Sequence, residues 1–173
     1  MALGLGIIDL AQAYLEKAES AAPDSESVSD ARCFLGFQHL AKQHEEKATS
    51  DISAVRSVER TCSKAQQRSH NPLVQMVLAL VHFDLGNFAK AEQQAREVTR
   101  RLPLHYDAQL LLARIHAQLG FAPPEVEKQF LRAARLRPYD PTPLRDLISW
   151  LDQKGFSERA RFFERKLDAL PHA

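Results

Sequence analysis

The sequence predicts an all-α chain built as a stack of helix pairs, and three observations predict it. The first is composition: 6 Gly and 9 Pro among 173 residues, with Ala, Leu, Gln, Glu and Arg abundant, favour helix over sheet. The second is a period, since Gly86, Gly120 and Gly155 recur every 34 or 35 residues and Pro103, Pro138 and Pro171 every 33 or 35. The third is what each interval contains, two apolar runs of helical spacing on either side of the glycine. A 173-residue chain divided by that period is a short array, not one average domain.

Taken in order, residues 5–23 form an amphipathic helix ending at Ala22-Pro23, the second half of a preceding unit. Residues 27–71 form a degenerate unit. Ser27 and Asp30 can open a helix running to about His44, Glu45 to Ser50 make a lengthened turn, and Asp51 to about Arg68 form the partner helix. In that partner helix Ile52, Val55, Val58 and Cys62 share one face.

Three clearer units span 72–103, 104–138 and 139–171. Asn71-Pro72 and Asp140-Pro141 are start signals for first helices, and Ser157 is one for the last second helix. Gly86, Gly120 and Gly155 end the first helices, because glycine takes the left-handed conformation that closes a helix. The prolines stop the second helices, since they cannot continue the hydrogen-bond ladder. The expected organisation is one solenoid over 1–173.

The positions within a unit carry a resemblance. Leu78-Ala79-x-x-His82-x-x-x-Gly86-Asn87-Phe88-x-x-Ala91, closed by Leu102-Pro103, is repeated as Leu112-Ala113-x-x-His116-x-x-x-Gly120, then Phe130-x-x-Ala133 and Arg137-Pro138. A third copy runs Leu147-Ile148-x-x-Leu151-x-x-x-Gly155, Ala160 and Leu170-Pro171, and Leu35-Gly36-x-x-His39 stands as an earlier one. This pattern resembles the tetratricopeptide repeat, with Gln75, Gln109 and Leu144 where that family has a bulky aromatic. The resemblance implies a right-handed α-α superhelix of antiparallel helix pairs, about 3.5 to 4 repeats long, acting as a protein-binding scaffold.

Several function classes are not expected. No phosphate-binding loop, nucleophile elbow, HExxH or calcium loop occurs, so no enzyme, cofactor or metal is predicted. His39, His82 and His116 recur in register, but stacked helices lie about 8–10 Å apart and zinc ligands must reach within about 2 Å of one ion. They are expected as half-buried rings. Cys33 and Cys62 have no CxxC spacing and are expected as reduced, packed thiols.

Asp9 interrupts the apolar start, with no Lys or Arg before it, so no secretory leader is read. Leu73 to Leu85, the most apolar later stretch, falls short of the ~20 residues that cross a bilayer. The chain is therefore expected in the cytoplasm without inserting into a membrane, or in the periplasm if a leader had been removed.

Charge is uneven beneath a net of +1: residues 1–89 carry 8 basic and 11 acidic side chains, residues 90–173 carry 15 and 11. Bulk-charge binding of nucleic acid is excluded by that balance. A rival reading uses the basic edge Arg100, Arg101, Arg135 and Arg137 for phosphate or nucleic acid.

The leading reading follows the resemblance, which implies a concave groove lined by first helices. The candidate partner-binding residues are Phe34, Phe37, Leu73, Met76, Val77, Leu80, Phe83, Leu111, Arg114 and Arg145, with Cys33 and Leu40 beside the first of them. Their chemistry grades from apolar to polar along the chain, which suits a peptide or amphipathic helix of another protein. Family members that clamp chaperone tails use Lys, Asn and Arg here, whereas this chain has Cys33, Phe37, Val77, Asp107 and Leu111, so that ligand is not expected. Phe162, Phe163, Leu167 and Leu170 have no following helix in sequence, so self-association through that end, or a longer array, is also expected.

Overall fold

The computed structural model describes residues 2–47 and 51–170, and every described element is an α-helix joined by turns. In chain order they are α1 (Ala2–Ala21), α2 (Glu26–Lys47), α3 (Ile52–Arg68), α4 (Pro72–Asp84), α5 (Phe88–Arg101), α6 (Tyr106–Leu119), α7 (Pro123–Leu136), α8 (Thr142–Gln153) and α9 (Ser157–Asp168). The predicted all-α chain of helix pairs is what the structure shows. It divides into two compact units, Met1–Asn87 and Phe88–Ala173.

Local chemistry sets the boundaries. Asp51 accepts from the Ser53 N–H at 2.8 Å to open α3, and Asn71 does the same for the Leu73 N–H at 2.9 Å to open α4. Gly86, Gly120 and Gly155 all sit at positive φ, 72° to 80°, where the first helices α4, α6 and α8 finish. Three boundaries differ from expectation. Glu45 to Lys47 continue α2 instead of beginning a turn. Ser157 is already inside α9, whose start has no side-chain cap. Asp140 accepts the Thr142 N–H at 2.9 Å, so α8 begins one residue beyond Pro141. Pro171 and residues 48–50 of the expected turn lie outside the described residues.

The first unit's core is built by α2, α3 and α4. Cys33 and Leu40 of α2, Val55, Val58, Cys62 and Ala65 of α3, and Val74, Val77, Leu78 and Val81 of α4 form one buried cluster. The thiol expectation is corrected here: Cys33 and Cys62 are joined by a disulfide. Both residues face the α2–α3 joint and are fully buried, so helix pairing itself brings the sulfurs together. The same geometry removes Cys33 and Leu40 from the groove, because the α2 face they share is the one that packs on α3.

In the second unit Tyr106, Leu110, Ala113 and Ala117 of α6, Val126, Phe130 and Ala133 of α7, Leu144, Leu147, Trp150 and Leu151 of α8, and Ala160 and Phe163 of α9 make the core. Small Ala113 lets helices approach closely, as its place in the repeat requires. Gln109, where the aromatic was missing, is fully buried and donates from Nε2 to the Pro103 carbonyl at 2.9 Å, tying α6 to the turn before it. Trp150 donates from Nε1 to the Ala117 carbonyl at 3.2 Å and joins α8 to α6.

The C-terminal end differs from expectation. Phe163 is fully buried and Leu167 and Leu170 pack partly against the same core, leaving Phe162 as the exposed one. The reason is visible by comparing α7 with α9, 34 residues later. Glu127, Phe130, Leu131 and Ala134 of α7 are buried or partly so, whereas their counterparts in α9, Arg161, Glu164, Arg165 and Asp168, are all exposed. The outer face of α9 is therefore charged, not apolar.

Candidate partner groove

First helices neighbour one another within each unit, α2 with α4 and α6 with α8. In the first unit, Leu73, Met76, Leu80 and Phe83 fall at 3- and 4-residue steps along α4 and so form one stripe. Leu73 is 44% exposed, Leu80 and Phe83 are half-buried, and Met76 is 7% exposed. Phe34 and Phe37 of α2 are half-buried and rest against the first core. Val77 belongs to that core. Of the residues expected to line the groove here, Phe34, Phe37, Leu73, Leu80 and Phe83 keep some exposure, whereas Met76 and Val77 are buried.

The second unit presents a different surface. Leu111 is buried, Arg145 is exposed, and Arg114 donates from Nε to Asp146 at 2.7 Å, linking α6 to α8. Nearby, the Tyr106 hydroxyl donates to Asp140 at 2.8 Å while the Arg137 guanidinium lies 4.1 Å above the Tyr106 ring. Arg137 also stands 3.9 Å from Asp107. Burial, then the Asp140 bond, push the Tyr106 phenol well above its ordinary range. Asp140 is held below the ordinary carboxylate range by its bonds from Thr142.

Arginines of the proposed basic edge are already engaged. Arg100 and Arg101 both donate to Glu97, at 2.7 Å and 2.6 Å, and their hydrogen bonds pull its pKa down to about 2. With Arg137 over Tyr106, three of the four edge arginines face an internal partner.

The recurring histidines are not equivalent. His82 and His116 are buried, but His39 is exposed. His116 Nε2 lies 3.2 Å from Glu92 Oε1 and His82 Nδ1 lies 3.5 Å from Glu59 Oε1. Residue periodicity alone missed these acidic partners, although Glu59 and Glu92 are spaced like the histidines they meet. It also missed Glu127, only 8% exposed on α7, which takes a two-pronged hydrogen bond from Arg159 of α9. Among the described residues no group of three or more His, Cys, Asp or Glu is placed to hold a metal ion, and no helix is long and apolar enough to cross a membrane.

A family model described as tetratricopeptide repeat matches residues 76–141. MamA from MSR-1 shares the fold at a TM-score of 0.70 and 20% identity, over 94% of this chain and 91% of that one. MamA from AMB-1 does so at 0.72 and 19%, over 96% and 91%. PilF of Pseudomonas aeruginosa is similar at 0.71 and 16%, over 99% of this chain and 72% of its own. Among curated proteins, no sequence matches this chain.

Proposed function

We propose, for a chain whose residues 76–141 belong to the tetratricopeptide repeat family, that it is a non-enzymatic scaffold binding another protein's amphipathic helix or extended segment on the apolar first-helix face of its first unit. The observation that carries this reading is the α4 stripe, where Leu73 keeps 44% of its surface in water next to half-buried Leu80 and Phe83. Apolar side chains left in water on a packed helix are favourable to cover, at about 25 cal/mol per Å2. The first helices of the second unit are polar there instead: Arg114 and Asp146 satisfy each other and Arg145 is exposed.

Affinity capture from native lysate with the wild type and with Leu80→Glu tests the reading. A partner retained by the wild type and lost by the variant, with the far-ultraviolet helical signal unchanged, supports it. Equal capture by both removes the α4 stripe from the site. The phosphate or nucleic-acid alternative has less support, because Arg100, Arg101 and Arg137 are paired internally. It predicts binding that falls steeply with salt and disappears when Arg135 and Arg137 are neutralised. Self-association is read from sedimentation velocity. The charged outer face of α9 argues against an apolar contact there, which leaves the α4 stripe as the surface a second copy would use.

A further inference from the structure

The Cys33–Cys62 bond has no part in the binding role. Cys33 lies on α2 and Cys62 on α3, 29 residues apart, and both are fully buried beside Leu40, Val55 and Val58. A pair so placed is shielded from solvent thiols and oxidants while α2 lies on α3. The repeat shows what the bond replaces. In register, Cys33 corresponds to Met76 and then Leu110, and Cys62 to Ala95 and then Phe130. Leu110 and Phe130 are both members of the second unit's core. Two cysteines fill much less space than a leucine and a phenylalanine, so the first unit has a covalent link where the second has apolar bulk. The link also closes a 29-residue segment, longer than the stretch from Leu110 to Phe130, and a longer closed loop restricts the unfolded state more.

We infer that this protein folds, and meets its partner, in an oxidising compartment, with Cys33–Cys62 as the permanent clip of the α2–α3 pair. A cytosolic location does not fit the bond, because cytosolic thiol buffers keep such pairs reduced. The oxidant is the disulfide of a thiol–disulfide oxidoreductase. One cysteine thiolate of the chain attacks that disulfide and forms a mixed disulfide. The second thiolate then displaces the donor sulfur, so the chain's two thiols lose two protons and two electrons and the donor leaves as a dithiol. The exchange takes place before α2 closes on α3, since neither sulfur is reachable afterwards.

This inference does not depend on the groove: loss of partner capture with the bond intact overturns only the groove. Protein taken from its native source, acid-quenched, denatured and alkylated with N-ethylmaleimide before digestion, is expected to yield the Cys33 and Cys62 peptides joined and unalkylated. Recovery of both cysteines alkylated overturns the inference. On the purified protein, dithiothreitol is expected to reduce the bond in denaturant far faster than in native buffer. After reduction and refolding, amide exchange in α2 and α3 should rise on the order of a hundredfold, with α6 to α9 unchanged. The Cys33→Ala/Cys62→Ala variant should behave like the reduced protein. Unchanged exchange in both would show that the bond clips nothing and would overturn the structural half of the inference.

Discussion

His116 of α6 places its Nε2 3.2 Å from Glu92 Oε1 of α5, and the ring stacks on Phe121 at a centroid distance of 4.2 Å. Arg96 also reaches Glu92, at 2.7 Å, so a buried imidazole and an arginine share one carboxylate at the joint between consecutive helices. The imidazole Nδ1 has no hydrogen-bond partner among the described residues.

This joint makes stability depend on pH. Burial lowers the His116 pKa, outweighing the pull of Glu92. Below about pH 6.5 the unfolded chain takes up a proton on this ring, while the folded chain resists it. The unfolded state therefore binds more protons, and stability falls as pH drops through that window. The melting temperature should decrease between pH 7.5 and 5.5, and His116→Phe, which cannot titrate, should flatten the decrease. Calorimetry of both proteins checks this; an unaltered slope in the variant would assign the dependence to other groups.

Asp140 serves two elements at once, accepting the Thr142 N–H at the start of α8 and the Tyr106 hydroxyl from α6. Asp140→Ala loses both and should cost about 1–3 kcal/mol. Tyr106→Phe loses one and should cost about 1 kcal/mol. Urea midpoints of the two variants give the order, and equal costs would show that the α8 start contributed nothing.

Arg159 and Arg161 are two residues apart on α9 but face different surroundings. Arg159 satisfies the buried Glu127 carboxylate, whereas Arg161 lies on the exposed outer face. Arg159→Ala strands a charge and should lower the melting temperature, while Arg161→Ala should leave it in place. Equal shifts would mean that water solvates Glu127 in the variant.

Two glycines should respond with opposite signs. Gly120 ends α6 at φ 74° with open space around it, so Gly120→Ala meets only backbone strain and should destabilise by roughly 1 kcal/mol. Gly36 lies inside α2, where an added Cβ would stand 3.6 Å from Val58 Cγ2, an ordinary contact. Gly36→Ala should therefore stabilise by about 0.5–1 kcal/mol. Chemical denaturation of both variants is the measurement.

The repeat was legible because its markers are local. Gly86, Gly120 and Gly155 close helices through their own backbone freedom, and Asn71 caps through its own side chain, so each acts wherever the rest of the chain goes. Site residues were legible only in part. Leu73 is 44% exposed and Leu80 and Phe83 are partly buried, whereas Met76 on the same stripe is buried, as are Val77 and Leu111. A helical position shifts by 100° per residue, so a register that predicts the helix correctly can still turn a side chain from groove to core.

The sequence by itself determined the number and limits of most helices, the glycine and cap positions, and the change from an apolar to a polar first-helix face. Those properties depend on neighbours within a turn or two of chain. Only tertiary structure decided the Cys33–Cys62 bond, the burial of Phe163, the Glu partners of His82 and His116, and the Arg159–Glu127 pair. Each of these joins residues on different helices, so it depends on helix rotation and approach. Packing sets those quantities, and helical periodicity does not carry them.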